Sequence, residues 1–386
     1  MAATIDCLRA LGAEIELCGC TAVVHGVRLR RGLLNHTEKN EKKTALPRLC
    51  CRESGSTLRF LLPASLLFGG AELCGSARLM ERGVGIYRDL LEPRGVEFSA
   101  CADSITVRGS LSAGDFTLPG DVSSQFISGL LMALPLLPRA GERDGSRIIL
   151  STPAESRAYI DMTISTLASV GAVIERAGDE FFIPCGQSYR PREATIEGDW
   201  SQAAFFFAMG DGVSVAGLDL ESLQGDRAIV RLLAEIRRGY TEADLSDIPD
   251  LAPILFTAAA MGGRGAHFGG TRRLAIKESR RSDVMAAELA KLGARVTVHH
   301  DSVDIAPAEL HAPSVPFLSH GDHRVVMALT VAAARYGGVI EGAEAVSKSY
   351  PDFFADFAAL GGDVSLHDEV GDDNNKQNES EATANA

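Results

Sequence analysis

A chain of 386 residues is longer than one ordinary hydrophobic core organises, so two domains are expected. Hydrophobic residues at 46% and charged residues at 23% make a globular composition, and no apolar run reaches the ~18 residues of a membrane span. Of the formal net charge of −13, residues 361–386 carry −6; the weakly acidic remainder argues against a polyanion-binding protein, yet leaves enough arginine and lysine to line a pocket for a small anion.

The opening MAATIDCLRA lacks the basic start and apolar stretch of a secretory signal. All eight cysteines lie before Gly186 with no CxxC pair, and no histidine stands at zinc spacing. They are expected to be reduced and mostly buried in a cytoplasmic protein, with no disulfide framework and no structural metal.

Along the chain, two kinds of segment alternate. The first is an amphipathic helix, a glycine and a short strand: residues 5–17, 87–99, 159–175, 229–243, 284–298 and 350–366. Their stop glycines, Gly12, Gly95, Gly171, Gly239, Gly293 and Gly361, suit the left-handed conformation that ends a helix. The second is a polar or glycine-containing turn opening an apolar helix: residues 55–70, 123–137, 199–210, 250–263 and 322–338. Helices apolar on most sides belong inside a layer, covered by sheet and by the amphipathic helices.

Each apolar helix starts 39 to 48 residues before the next stop glycine, so one unit holds both helices and there are six units, three per domain. The partner of Gly12 would start before Met1, so the first unit is expected to be incomplete. The expected domains are residues 1–198 and 199–366, followed by an acidic disordered tail, residues 367–386. Residues 28–48 hold seven basic side chains without an aromatic, which reads as a solvated loop and not a nucleic-acid surface.

The apolar helices carry free N–H groups and a positive dipole end at their starts, where Gly55-Ser56-Thr57, Ser123-Ser124-Gln125 and Asp322-His323-Arg324 stand. If those starts meet between the domains, the cleft traps anions; alternatively, Ser and Asp are simply good helix caps. Arg82, Lys277, Arg281, Arg324 and Lys348 lie at turns or element boundaries, where bidentate contacts to phosphate or carboxylate make sense. Asp250 and Glu278 accompany them, and an acid and a base among cations suit proton transfer on an anionic substrate. There is no GxxxxGK[ST] loop, no GxGxxG after a strand, no GxSxG elbow and no HExxH. His299-His300-Asp301 reads as a turn between strands.

ESGSTLRF (53–60), GSARLMERG (75–83), SSQFISGLLMALP (123–135), ESRAYIDMT (155–163), EGDWSQAAFF (197–206), DIPDLAP (247–253), IKESRRSD (276–283), GDHRVVMAL (321–329) and SKSYPDFF (347–354) resemble the 5-enolpyruvylshikimate-3-phosphate (EPSP) synthase family, in that family's order. The resemblance implies an α/β fold, the two-domain enolpyruvyl transferase fold with three βαβαββ units per domain in an inside-out α/β barrel. It also implies a transferase without cofactor or metal, monomeric, that moves the enolpyruvyl group of phosphoenolpyruvate to the 5-hydroxyl of shikimate 3-phosphate. No nucleic acid or membrane partner is implied.

By the same resemblance, Ser123, Ser124, Gln125 and Ser156 hold shikimate 3-phosphate, with Tyr159, Asp250 and Lys277 reaching it. Gly55, Arg82, Gln125, Arg281, Arg324 and Lys348 hold phosphoenolpyruvate. Asp250 is the proton-accepting carboxylate and Glu278 the proton donor, with Lys277 beside them. The departures are Gly83 where the family has proline, Arg280 where it has aspartate, and Arg52 where glycine is usual. Arg280 is expected to loosen the placement of Lys277 and Arg281. The family's Lys-Ser-x-x-x-Arg helix start has no counterpart after Met1, and one sheet is expected to keep an open edge. Three readings follow: an active synthase whose recorded start is late, a shortened remnant that only binds shikimate 3-phosphate, and a UDP-sugar enolpyruvyl transferase. The last is disfavoured because Cys74 precedes GSARL and does not match that enzyme's reactive-loop cysteine.

Overall fold

The structure, a computed structural model, describes residues 1–27, 45–139, 144–210 and 212–367. Most of the basic loop at 28–48 and the acidic tail from 368 onward lie outside the described residues.

The first half begins with α1 (Ala2–Ala10), β1 (Glu14–Cys18), β2 (Thr21–His25), β3 (Arg48–Cys50), α2 (Gly55–Ser65) and β4 (Gly70–Cys74). It continues through α3 (Ala77–Arg82), α4 (Gly85–Leu91), β5 (Glu97–Ala100), β6 (Ser104–Arg108), β7 (Asp115–Leu118) and α5 (Ser124–Ala133). It closes with β8 (Gly145–Leu150), α6 (Arg157–Ser169), β9 (Glu175–Ala177) and β10 (Glu180–Pro184). The second half opens with α7 (Trp200–Met209), α8 (Ile229–Arg238), β11 (Thr241–Asp244), α9 (Ala252–Gly262), β12 (Ala266–Gly269) and α10 (Arg281–Ala290). After these come β13 (Arg295–Val298), β14 (Ser302–Ala306), β15 (Phe317–Leu318), α11 (His323–Tyr336), β16 (Ile340–Glu341) and α12 (Phe353–Ala359).

The repeat is real. Three four-stranded sheets share one order, β3-β4-β6-β5, β7-β8-β10-β9 and β11-β12-β14-β13. In each, the first two strands are parallel and joined through a buried helix, and the last two close as an antiparallel hairpin. Five of the six stop glycines have a left-handed φ, between 83° and 99°, whereas Gly239 at φ 175° is merely extended. His299–Asp301 do form the turn between β13 and β14.

The remaining units are leaner. The first contributes α1 and the β1–β2 hairpin, whose Leu17, Val23 and Val24 stand exposed on an uncovered sheet. The fourth has both helices, α7 and α8, but among the described residues no strand flanks α7; a backbone bond from Gly198 N to Gly217 O, 2.7 Å, is the trace of a pairing. The sixth has a two-stranded parallel sheet, β15–β16, and the strand expected after Gly361 does not form. Val364 and Leu366 keep the alternation, but a strand exists only when a neighbour accepts its hydrogen bonds, and Leu366 is exposed. The cysteines also depart from expectation: Cys7, Cys51, Cys74 and Cys185 are buried, while Cys18, Cys20, Cys50 and Cys101 are exposed.

Two apolar clusters result, one from Cys7 to Cys185 and one from Trp200 to Phe353. At the centre of the first, α2 packs on α5 with Gly129 at the crossing, and the Tyr87 hydroxyl reaches the carbonyls of Arg59 and Phe126, each at 2.9 Å. A Cβ on Gly129 would collide with that hydroxyl and with the Arg59 carbonyl. This close approach fixes the two helix starts side by side. In the second cluster α9 is buried on nearly every side, whereas α8 buries only Ile229, Leu232, Leu233 and Ile236, as their 3- and 4-residue spacing dictates. We expect Gly129→Ala to destabilise the first lobe by about 1–3 kcal/mol and lower its melting midpoint in a calorimetric scan; an unchanged midpoint would mean the helices are not held this tightly.

Candidate active site

The buried helices start where the two lobes face each other. Ser54 caps α2 by accepting from Thr57 N, Ser123 caps α5 from Gln125 N, Asp199 caps α7 from Ser201 N, and Asp322 caps α11 from Arg324 N. The capping explanation for these residues therefore holds, and so does the convergence. Gly55, at the start of α2, has Arg59 Nη1, Gln125 Oε1 and Arg82 Nη2 within 2.8–3.5 Å of where a Cβ would stand. Any side chain there would push into two guanidinium groups.

Around the second lobe's helix starts lies a dense ion network. Arg281, 1% exposed, donates to Asp250 Oδ1 at 2.8 Å, Glu278 Oε2 at 2.6 Å and Asp322 Oδ2 at 2.8 Å. Asp250 also takes Lys277 Nζ at 3.3 Å, Arg324 Nη2 at 3.3 Å and the Tyr159 hydroxyl at 3.2 Å. Tyr159 belongs to α6 of the first lobe, so this network is shared by both.

The electrostatics follow from that crowding. Burial works against ionising Asp250, but Arg324, Lys277 and Arg281 outweigh it and hold its carboxyl well below the usual carboxylate range. Burial likewise opposes ionisation of Glu278, and Arg281, Lys277 and Arg82 bring it down to about 2. Burial, reinforced by Arg281 and Arg273, pulls Lys277 below the ordinary lysine range despite Asp250. Burial and the neighbouring Arg324 lower His323 to about 4, so it is neutral.

Cross-lobe contacts tie the halves together. Arg82 Nη1 meets Glu278 Oε1 at 3.3 Å, and Arg78 donates to the carbonyls of Lys277 and Glu278. Arg273 reaches Val122 O, Glu155 and the Ser156 hydroxyl, the last at 2.9 Å. Lys348 bridges to Glu53 at 2.5 Å and to Gly321 O at 2.8 Å. Between the lobes, a cleft of about 450 Å³ is lined by Arg59, Arg82, Ser123, Gln125, Arg273 and Lys277, among others. Buried Nε of Arg59, Nε of Arg82 and Nη1 of Arg324 have no acceptor among the described residues. Each bare buried donor costs about 1–3 kcal/mol, a cost that oxygen atoms of a ligand would relieve.

The structure gathers Gly55, Arg82, Ser123, Gln125, Ser156, Tyr159, Asp250, Lys277, Glu278, Arg281, Arg324 and Lys348 at this lobe boundary, with Ser124 buried in the first turn of α5. Ser156 takes a left-handed φ of 55°, which turns its hydroxyl to Arg273. Glu278, lowered to about 2, is held ionised while Arg281 and Arg82 grip it, so a role as proton donor requires those cations to be drawn away. Arg280 does not loosen its neighbours; it turns out to Asp283 at 2.7 Å and leaves Arg281 fully paired. Arg52 sits at φ 53°, a glycine-favouring conformation, anchored by Asp6 at 2.7 Å. Gly83 at φ 60° could not be proline, whose ring fixes φ near −65°.

Three participants went unread in the sequence: Arg59, Arg78 and Arg273. Arg59 offered a signal, a lone charge within the apolar helix α2; it is buried over the Phe126 ring, donates to Gln125 Oε1 at 2.8 Å, and is lowered to about 10 by burial and by Arg82. Arg78 and Arg273 stand in the basic runs around Arg82 and Lys277, but nothing local says which arginine of a run turns inward.

Two lobes of repeated βαβαββ units, with helix starts aimed at a cationic cleft between them, define the enolpyruvyl transferase class of fold. The EPSP synthase from Acinetobacter baumannii superposes with a TM-score of 0.70 at 21% identity, covering 95% of this chain and 88% of that one. The enolpyruvyl transferase NikO from Streptomyces tendae gives 0.66 at 17%, covering 94% and 86%. Residues 1–357 match the EPSP synthase (3-phosphoshikimate 1-carboxyvinyltransferase) family. The 3-phosphoshikimate 1-carboxyvinyltransferase of Clostridium botulinum strain Eklund 17B is 38% identical over 387 residues, 93% of this chain and 86% of that protein. That of Clostridioides difficile strain 630 is 35% identical over 388 residues, 94% and 87%. The chain belongs to the EPSP synthase family, and the remnant and UDP-sugar readings gain no support from these relatives.

Removing Asp322 would strip Arg281 of its fully buried partner and α11 of its cap, at a cost of about 3–5 kcal/mol. Burial disfavours the charge on Asp322, but Arg281 holds its carboxyl below the ordinary range. A carboxyl depressed on folding stabilises the fold above its unfolded pKa and loses that contribution as the pH falls. Melting curves of Asp322→Ala against the parent chain should therefore differ by a constant amount above pH ~5 and converge on acidification; a gap indifferent to pH would contradict the pairing.

Proposed function

We propose that this chain transfers the enolpyruvyl group of phosphoenolpyruvate to the 5-hydroxyl of shikimate 3-phosphate, releasing phosphate. The observation that carries this is the set of inward-facing second-lobe cations, Lys277, Arg281 and Arg324, around one buried carboxylate, Asp250, with Arg82 of the first lobe meeting them at Glu278. Ser123, Ser124, Gln125 and Ser156 hold shikimate 3-phosphate, with Tyr159 nearby and Lys277 reaching it from the other lobe. Gly55, Arg82, Gln125, Arg281, Arg324 and Lys348 hold phosphoenolpyruvate. The lobes that carry the two sets divide near Gly198, between the last residue of one apolar cluster and the first of the next.

The chemistry needs a proton moved in each direction. The 5-hydroxyl forms a bond to C2 of the enolpyruvyl group and gives up its proton, while C3 gains one; the C2–phosphate oxygen bond then breaks as C3 loses a proton. Asp250 takes the hydroxyl proton. In the network described above, its cations make it a weak base, and the same holds for Glu278. Two substrate anions compete for those cations, so their arrival raises the basicity of both carboxylates and lets Glu278 carry a proton to C3. Lys277, 3.3 Å from Asp250, steadies the developing charge. Lobe contacts such as Arg82–Glu278 exclude water from the reacting carbons.

Phosphate release from the two substrates tests this. Asp250→Ala and Lys277→Ala should each lower turnover by about 10²–10⁴, while a change at His300, exposed in the β13–β14 turn, leaves it unaltered. Near-parental rates for the first two variants would refute the assignment.

A further inference from the structure

Asp226 lies in the single turn Gly225–Ala228 ahead of α8, is 3% exposed, and belongs to no part of the site assigned above. Its Oδ2 stands 3.2 Å from the Tyr159 hydroxyl oxygen, and that same oxygen stands 3.2 Å from Asp250 Oδ2. A phenol has one hydrogen and two carboxylates flank it, so one of the two contacts needs a proton from elsewhere. Asp250 is the ionised partner, because Arg281, Lys277 and Arg324 all donate to it. Asp226 has no such donor: its Oδ1 is buried without a partner among the described residues.

We infer that Asp226 is a positioning residue whose carboxyl group is protonated and donates to the Tyr159 oxygen, which commits the Tyr159 hydrogen to Asp250. The arrangement is a one-way chain, Asp226 to Tyr159 to Asp250, that crosses from the second lobe to the first and back. A neutral acid with one bare carbonyl-like oxygen is far cheaper to bury than a carboxylate with the same bare oxygen. The charged groups facing Asp226 are Asp250 and Asp199, which oppose its ionisation, and Arg324, which favours it; Arg227 next in the chain turns away to Leu220 O at 2.7 Å. Burial first, then Asp250, pushes Asp226 up to about 7. Above that pH two carboxylates compete for one phenolic hydrogen, and the aim of Tyr159 at Asp250 is lost.

The role rests on the reaction proposed above, so the test has two arms, one independent of it. Asp226→Asn supplies a permanent neutral donor, whereas Asp226→Ala supplies none. A carboxyl raised on folding leaves the fold most stable below its unfolded pKa and loses that contribution as the pH rises to the folded value. Thermal melts of the parent chain and Asp226→Asn should therefore coincide near pH 4 and separate by several degrees by pH 8, with the asparagine variant higher. In the second arm, kcat of the parent should fall as the pH rises through about 7, that of the asparagine variant should not, and Asp226→Ala should lose ~10–100-fold at every pH. A melting gap that ignores pH overturns the protonated state. An asparagine variant as poor as alanine, or an unaltered alkaline limb, overturns the positioning role. A parent chain without turnover counts against the reaction, and the melts still decide the protonation of Asp226.

Discussion

The site depends on one buried guanidinium. Arg281, with 1% of its side chain exposed, carries three carboxylates on three separate segments: Asp250 ahead of α9, Glu278 in the turn before α10, and Asp322 capping α11. Without it those acids would crowd together uncompensated in a low-dielectric setting, and without them the arginine could not be buried at all. The pairing therefore fixes where the second lobe's helix starts stand relative to one another. From Glu278 it passes to Arg82, and from Asp250 to Tyr159, so the same ion also registers the lobes against each other.

This arrangement explains why a protein of net charge −13 can serve anionic substrates. The cations are not spread over the surface as a steering field; they are withdrawn to helix starts and held by internal acids that a phosphate or carboxylate can displace. The acids keep the arginines from unpaired burial in the unliganded cleft, and in the proposed reaction they become stronger bases once substrates take the cations. Placement and catalysis thus use one set of charges. The bare donors of Arg59, Arg82 and Arg324 mark where internal acids leave room.

Legibility in the sequence followed the range of the interactions. Helix, glycine and strand were readable because amphipathic spacing and a left-handed stop act within a dozen residues, as at Gly95 and Gly293. Caps such as Ser123 and Asp322 were readable for the same reason. Strand number was not: residues 363–366 alternate properly, yet among the described residues no partner strand receives them, and only the sheet can decide that. The helix start at Gly55 and cations such as Arg82 and Lys348 drew notice by position alone, whereas Ser156 and Tyr159 were singled out only through family likeness. Arg273 and Asp226 stayed hidden because their partners, Ser156 and Tyr159, lie across the lobe boundary and far away in the chain.

The central claim is that both substrate anions are gripped where helix starts of the two lobes converge. A crystal structure with shikimate 3-phosphate and phosphoenolpyruvate bound tests it most directly. The account predicts shikimate 3-phosphate on the Ser123 end of α5 with Ser156, and the enolpyruvyl carboxylate and phosphate among Arg82, Arg281, Arg324 and Lys348, next to Asp250. Substrates seated away from the lobe boundary, or the Arg281 network intact and untouched beside them, would contradict it.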